Sequence, residues 1–319
     1  MTSPLLSIII PNWNGARFLR TCFDALRGQT YQNLEIILVD NASTDESSEI
    51  TQAEYPEVHW LGLAENRGFT GACNAGIELA KGDLVCLLNN DTEVDPAWAE
   101  AIVSAFARHA DVGSVASKML LFDQRDHIHT TGDFFTTDGR AGNRGVWQKD
   151  EGQYEQEEYV FSACGGSAVY RKTMLDEIGI LDDDFFFSGE DVDLGWRAQL
   201  NGWRCLYTPQ AIVYHHLKAT GGGVTASYYD GRNLIFILVK NYPADLWRKY
   251  GFSVLKAQWR LAREAIRAWR GKEARARLRG MLAGLLGIPR MWRKRRAIQA
   301  SRRVNLDALE QVLTPAIND

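Results

Sequence analysis

LLSIIIPNWNG, residues 5–15, sets an apolar run ending at Ile10 against a turn of Pro11, Asn12, Trp13, Asn14 and Gly15. A short apolar run closed by turn residues reads as a strand, and the next stretch, Ala16 to Leu26, has helical periodicity. The same alternation recurs at Leu34 to Val39 then Ser47 to Glu54, at Val58 to Leu63 then Phe69 to Ala80, and at Leu84 to Leu88 then Ala97 to Ala107. Strands alternating with helices build a mostly parallel α/β sheet with helices on both faces, and its ligand-binding groups gather at the carboxyl ends of the strands. The chemistry is therefore expected just after each strand.

From Met119 to Glu158 the pattern turns irregular and rich in Gly, Asp, Thr and aromatic residues, which reads as a loop or short-strand excursion. Helical periodicity returns through Asp191 to Leu200, followed by an expected short strand at Trp203 to Tyr207 and a helix at Ser227 to Lys240. Beyond Pro243, two or three basic helices carry Trp247, Trp259, Trp269 and Trp292, with interruptions expected near Gly280 and Gly287. The expected division is an α/β domain over 1–240 and a basic helical region over 241–319. Charge follows this division: Lys240 to Arg303 holds 19 Lys and Arg against 3 Asp and Glu, and the remainder holds 17 against 37.

The 319 residues are 45% hydrophobic and 24% charged, ordinary proportions for a globular chain. The five cysteines are scattered with no CxxC pair, so neither a disulfide framework nor a cysteine zinc site is expected, and a reducing cytoplasm fits. The start of the sequence lacks a basic n-region, and Met281 to Pro289 is too short an apolar run to span a bilayer, so a cytoplasmic chain is the expectation.

Two strand ends carry recognisable chemistry. The ring of Trp13 can stack on a nucleobase, and the carboxylate of Asp40 can accept from the imide N–H of uracil or thymine. The alternative gives Trp13 to packing and makes Asp40 and Asp45 helix caps. Gly68, Gly71 and Gly76 open a helix without bulky side chains, which suits close approach to a phosphate or ribose, or simply close helix packing.

The ordered segments SIIIPNWNG (7–15), ILVDNASTD (37–45), ENRGFTGACNAGI (65–77) and LLNNDTEV (87–94) resemble the motifs of family-2 glycosyltransferases with the GT-A fold. The resemblance spans roughly residues 5 to 240. It implies that Pro11, Trp13, Asn14 and Asp40 hold the base of a dTDP- or UDP-linked sugar, with Asn66, Arg67, Gly68 and Asn90 near the nucleotide. It also puts Asp91 at the position of the family's DxD element, as a ligand for Mg²⁺ or Mn²⁺. Asn89 and Asn90 are neutral where a strict DxD has a carboxylate, which leaves one acid at the core of the element.

FFFSGEDVDLGWR (185–197) resembles the family's ED element at a helix start. Asp191 is then the expected general base of an inverting transfer, Glu190 its partner or an acceptor ligand, and Asp193 with Arg197 a structural ion pair. The competing reading is an acidic helix start favoured by the helix dipole. Similar proteins carry a histidine near Val213-Tyr214-His215-His216 that reaches the metal or diphosphate, with His215 preferred here over His216. Gly165 and Gly166 resemble the small-residue loop beside acceptor and donor sugar. Phe187 offers an acceptor platform or a core edge. Arg232 with Asn233 looks like the helix element of rhamnosyltransferase-like members, where its guanidinium would fork onto the diphosphate or join a core ion pair.

These features point to an inverting hexosyltransferase, with rhamnose as a candidate sugar, acting on a glycan or polyprenyl-linked acceptor in cell-surface polysaccharide synthesis. The competing class is a catalytically silent subunit that binds nucleotide sugar or glycan. The basic tryptophan-bearing helices suit an anionic membrane surface at the inner face of the cell membrane, against a solvated appendage. No nucleic-acid module accompanies the charge.

Overall fold

The computed structural model describes residues 3–216 and 222–316. Its first half alternates β1 (Leu6–Asn12), α1 (Ala16–Arg27), β2 (Leu34–Asp40), α2 (Ser47–Glu54), β3 (His59–Gly62), α3 (Gly68–Leu79), β4 (Leu84–Leu88), β5 (Thr92–Val94) and α4 (Trp98–Arg108). Then come β6 (Val112–Leu121), β7 (Ile128–Thr130), β8 (Asp133–Phe135), β9 (Ala141–Asn143), β10 (Glu158–Val160), β11 (Ser167–Arg171), α5 (Lys172–Ile178), α6 (Glu190–Leu200), β12 (Arg204–His215) and α7 (Gly223–Lys240). Helices α8 (Ala244–Arg267), α9 (Lys272–Leu286), α10 (Ile288–Ala300) and α11 (Leu306–Val312) follow.

The main sheet runs β10-β12-β6-β11-β4-β1-β2-β3. As expected from the alternation, β3, β2, β1 and β4 are parallel. β11 enters antiparallel between β4 and β6, and β12 pairs parallel with β6. β6 is buried along all ten residues, so it shows no period-2 signal, and its last turn of sequence falls in the stretch that reads as irregular.

β12 does not stop at Tyr207. It passes a register shift between Thr208 and Ile212, a bulge that lets it bend, and continues to His215. There it pairs with β5, setting His215 opposite Thr92. The bulge thus delivers a histidine to the end of β4.

Gly280 does not interrupt a helix as expected. It lies within α9, where a Cβ would overlap the backbone carbonyl of Tyr228, so its bare face lets α9 lie directly on α7. One break falls at Gly287, as expected, and the other at Gly271.

A buried ionic cluster ties these helices to the loop before α6. Lys240 pairs with Asp182 and, at 2.7 Å, with Asp193, which also holds Arg197 at 3.0 Å. Lys294 of α10 joins Asp182 and Asp184. Burial works against the charged form of Asp182 and Asp193, but Lys240 outweighs it and holds both below the ordinary carboxylate range.

Depressed carboxylates give stability that is present above the unfolded pKa of about 4 and lost as pH falls through the folded value. Lys240→Met takes one of two cations from each of two buried acids and should cost about 1.5–3 kcal/mol in urea unfolding at neutral pH, with a smaller loss at acid pH. Equal losses at pH 7 and pH 3 would remove the charge argument.

Candidate active site

β1 and β2 end side by side, with Asn12 opposite Asp40. The Asn12 amide donates to Asp40 at 3.1 Å and to the Ser43 hydroxyl at 3.2 Å, and Asn90 donates to the Asn12 oxygen at 2.6 Å. One row of side chains therefore connects the ends of β2, β1 and β4. Asn14 sits at a positive φ of 52°, where its side-chain oxygen accepts from the Thr44 N–H at 2.8 Å. Pro11 forms the β1 edge of this row, and Trp13 beside it is 52% exposed, leaving the indole open to a planar ligand. The capping alternative fits Asp45, which accepts from the Ala16 N–H at 2.9 Å at the start of α1. Asp40 closes the Ser43 turn instead, at 3.2 Å.

Asn66, Arg67 and Gly68 are pinned next to this row. Asn41 accepts from the Arg67 N–H at 2.8 Å and donates to the Asn66 oxygen at 3.0 Å, which also accepts from the Gly68 N–H at 2.8 Å. Gly68 has φ 73°, and a Cβ there would run into Phe186. The turn at the start of α3 thus touches the loop that precedes α6.

At the end of β4, Asp91 is buried with Oδ1 3.1 Å from His215 Nε2, and Asn89 Nδ2 lies 3.2 Å from the same nitrogen. His215 Nδ1 lies 3.1 Å from His129 Nδ1, with the two rings stacked at 4.8 Å. Burial, and then His215, lowers the His129 imidazole to about 3, so His129 stays neutral. His129 was not expected here, since it lies in the irregular stretch without a motif. His216 turns away and stacks on Phe122 at 3.6 Å.

The pair Asp91 and His215 fits a hard or borderline divalent cation. Asp91 Oδ1 is a buried oxygen without a hydrogen-bond donor, beside an imidazole nitrogen. Among the described residues no group of three or more His, Cys, Asp or Glu forms a metal cage, so the remaining ligands would be diphosphate oxygens and water.

The Gly165–Gly166 loop joins this end to α6. The Asn89 N–H donates to Gly166 O at 3.0 Å, and the Gly165 N–H donates to the Asp191 carboxylate at 2.8 Å. Glu190 and Asp191 begin α6 after Phe186, Ser188 and Gly189, with φ of 62°, 66° and 82°. Two non-glycine residues at positive φ need an external hold. Asn233 supplies it, donating to the carbonyls of Phe185, Phe187 and Ser188 at 3.1, 2.9 and 2.6 Å.

Arg232, expected at a diphosphate or in a core ion pair, is found on this same loop. Its guanidinium donates to the carbonyls of Asp184 and Phe185, both at 2.7 Å. Phe187 is half-buried with its ring edge-on to Tyr229 at 6.2 Å.

A cavity of about 510 Å³ opens over Glu190 and Asp191, with Asp133 on its wall and Gln258, Leu261 and Arg277 of α8 and α9 on its far side. Asp133 accepts from Asn143 at 2.8 Å and from Ser162 at 3.1 Å. It too was not foreseen, because a lone acid in an irregular stretch carries no spacing signal. Burial, then the charge of Asp191, pushes Asp133 and Glu190 well above the ordinary carboxylate range. Burial also raises Asp191, against the opposing hydrogen bonds from Gly165 and Val192.

Glu190 Oε2 is buried without a hydrogen-bond partner. A raised carboxyl costs stability as pH rises above the unfolded value, so Glu190→Gln should raise Tm by roughly 2 °C or more at pH 7. The gain should vanish below about pH 4, where the wild-type carboxyl is protonated folded and unfolded alike. A Tm difference unchanged between pH 3 and pH 8 would show that Glu190 is not a buried charge.

The family model described as Glycosyl transferase family 2 matches residues 7–179. The chain is 32% identical over 232 residues to the O-antigen biosynthesis protein RfbC of Myxococcus xanthus, covering 68% of this chain and 18% of that protein. It therefore spans less than a fifth of that relative's length. It is 25% identical over 268 residues to an N-acetylglucosaminyl-diphospho-decaprenol L-rhamnosyltransferase of Mycobacterium tuberculosis, covering 76% of this chain and 87% of the relative. Among solved structures, a mannosyltransferase of Pyrobaculum calidifontis in complex with GDP-Man and Mn²⁺ has the same GT-A fold. It aligns with TM-score 0.55 and 16% identity over 98% of this chain and 79% of that one. With the parallel half-sheet, the Asn89-Asn90-Asp91 strand end and the match across more than half of the sequence, this chain belongs to glycosyl transferase family 2 and has the GT-A fold.

Proposed function

We propose that the chain transfers one sugar from a nucleotide diphosphate sugar to a saccharide acceptor with inversion at the anomeric carbon. The observation that carries this reading is the Gly165–Gly166 loop, whose backbone bonds on one side to Asn89, two residues from Asp91, and on the other to Asp191. A donor group held at one end and a base at the other is the arrangement that a direct displacement needs.

In this reading Trp13 stacks on the base and Asp40 accepts its imide N–H, since a carboxylate keeps lone pairs beyond those used by Asn12 and Ser43. Asn66, Arg67, Gly68 and Asn90 flank the nucleotide. Asp91 and His215 would hold Mg²⁺ or Mn²⁺, which would neutralise charge developing on the leaving diphosphate. Asp191 takes the proton of the acceptor hydroxyl as its oxygen attacks, and the Gly165 N–H fixes the carboxylate in place. Glu190 lines the acceptor side with Gly165, Gly166 and Phe187. Arg232 acts through the loop it holds.

The relative named as a rhamnosyltransferase acting on a diphospho-decaprenol-linked sugar supports a dTDP- or UDP-linked deoxyhexose such as rhamnose as donor. The same name supports a polyprenyl-linked acceptor, and the relative named for O-antigen biosynthesis supports a place in cell-surface polysaccharide synthesis.

Asp191→Asn should lower turnover about 100-fold or more while donor affinity stays nearly constant. Because burial raises the Asp191 pKa, wild-type turnover should rise with pH through a limb above the ordinary carboxylate range. If Asp191→Asn matched the wild type in turnover, or if the wild type bound nucleotide without turnover on any lipid-linked or free saccharide, the silent-subunit reading would replace this one.

In a thermal-shift panel, dTDP or UDP should stabilise the wild type with Mn²⁺ or Mg²⁺ but not with chelator, and Asp91→Ala should lose the metal-dependent part. A shift indifferent to metal would take Asp91 and His215 out of the metal role.

A further inference from the structure

We propose that α8, α9 and α10 form a docking face for an anionic lipid bilayer, lying in its interface without crossing it. Water meets an unusual set of side chains on these helices: Phe252 is 83% exposed, Leu255 63%, Trp259 65% and Leu286 75%, with Ile266, Leu282, Leu285 and Trp292 also exposed. Scattered single apolar residues need no account, but a contiguous exposed set marks an interaction surface.

The set is ordered. At about 100° per residue, Phe252, Leu255, Trp259 and Ile266 fall within an arc of about 60° on α8. Lys256, Arg263 and Arg267 occupy the adjoining arc of about 60°. The opposite side carries Val254, Ala257 and Ala265, which are buried. On α9, Leu282 and Leu286 share a face with exposed Arg275 and Arg279. Among the described residues, Lys256, Arg263, Arg267 and Arg279 have no acidic partner, whereas Asp245, one of the three acids in this region, is already paired with Arg302 at 2.8 Å.

An apolar stripe edged by unpaired Lys and Arg, with tryptophan among it, matches an interface where rings and aliphatic side chains enter the acyl boundary and cations meet anionic headgroups. A second copy of the chain fits less well, because a two-fold contact would set the same cations against one another. Among the described residues no helix is long and apolar enough to cross a membrane, which agrees with helices lying flat.

The geometry gives this face a purpose that rests on the transfer reading. Of the residues that line the Asp191 cavity, Gln258 stands on the flank of α8, about 60° from Leu255, while Leu261 and Arg277 lie on the sides of α8 and α9 opposite the stripe. Docking by this face would hold the chain at the surface where a lipid-linked acceptor presents its sugar.

The test is flotation of the full chain with phosphatidylcholine vesicles and with vesicles containing phosphatidylglycerol. The wild type should float with the anionic vesicles and not with the neutral ones. The triple change F252S/L255S/W259S should weaken partitioning about 10-fold or more, and K256E/R263E/R267E about 100-fold. Both variants should keep the wild-type Tm and nucleotide-induced shift, which excludes misfolding.

Equal flotation of wild type and variants, equal binding to neutral vesicles, or a wild-type dimer that the serine variant dissolves without any lipid binding would each overturn the proposal. Flotation uses no donor and no acceptor. Failure of transfer with intact flotation would therefore count against the enzyme reading alone.

Discussion

The amide of Asn233 holds the loop on which the catalytic geometry depends. Phe186 and Ser188 sit at positive φ, a conformation that costs about 1–3 kcal/mol for each non-glycine residue and persists only under outside constraint. Asn233 meets three carbonyls of that loop, Arg232 meets two, and the Ser188 hydroxyl donates to Asp230 at 2.6 Å. All three anchors stand on one turn of α7. The strain they oppose is what aims the start of α6, and with it Glu190 and Asp191, at the Gly165–Gly166 loop. α7 is in turn fixed from behind by α9 at Gly280 and by the Lys240 and Lys294 ion pairs. Helices remote in sequence from the first four strands thus determine where Asp191 points.

How far the sequence could be read depended on whether a residue's role left a local signature. Leu6–Asn12, Leu34–Asp40 and Leu84–Leu88 are apolar runs closed by polar turns, so both the strands and the chemistry at their ends were legible. The same holds for the start of α6, where an acidic pair follows glycine. β6 and β11 were not, because VGSVASKMLL is broken by Gly, Ser and Lys, and SAVYR is short, so neither shows alternation or a continuous apolar run. His129 and Asp133 reach the site by tertiary packing, with no neighbour at a telling spacing. Arg232 shows the opposite difficulty. A guanidinium near a diphosphate site invites a ligand role, yet its donors can go equally well to backbone carbonyls, and only the path of the 184–188 loop decides that they do.

The family match ends at residue 179, before Glu190 and Asp191. That boundary coincides with a change in physical character. The nucleotide end is built from strand termini and short side-chain bridges such as Asn12 to Asp40, all local to the parallel half-sheet. The Asp191 end is assembled from a strained loop, a hairpin carrying Asp133, and helices α7 to α9. The first arrangement rests on a few short bridges. The second requires many long-range contacts to agree.

The bare contact between α7 and α9 has a consequence for how such chains diversify. Gly280 admits the carbonyl of Tyr228, so these two helices cannot drift apart or gain side chains at their crossing without moving the loop that Asn233 holds. The cavity wall, the exposed apolar stripe and the aim of Asp191 are consequently coupled mechanically. A change in the shape of the cavity that spares that seam can come from the cavity-facing residues of α8 and α9, such as Gln258, Leu261 and Arg277.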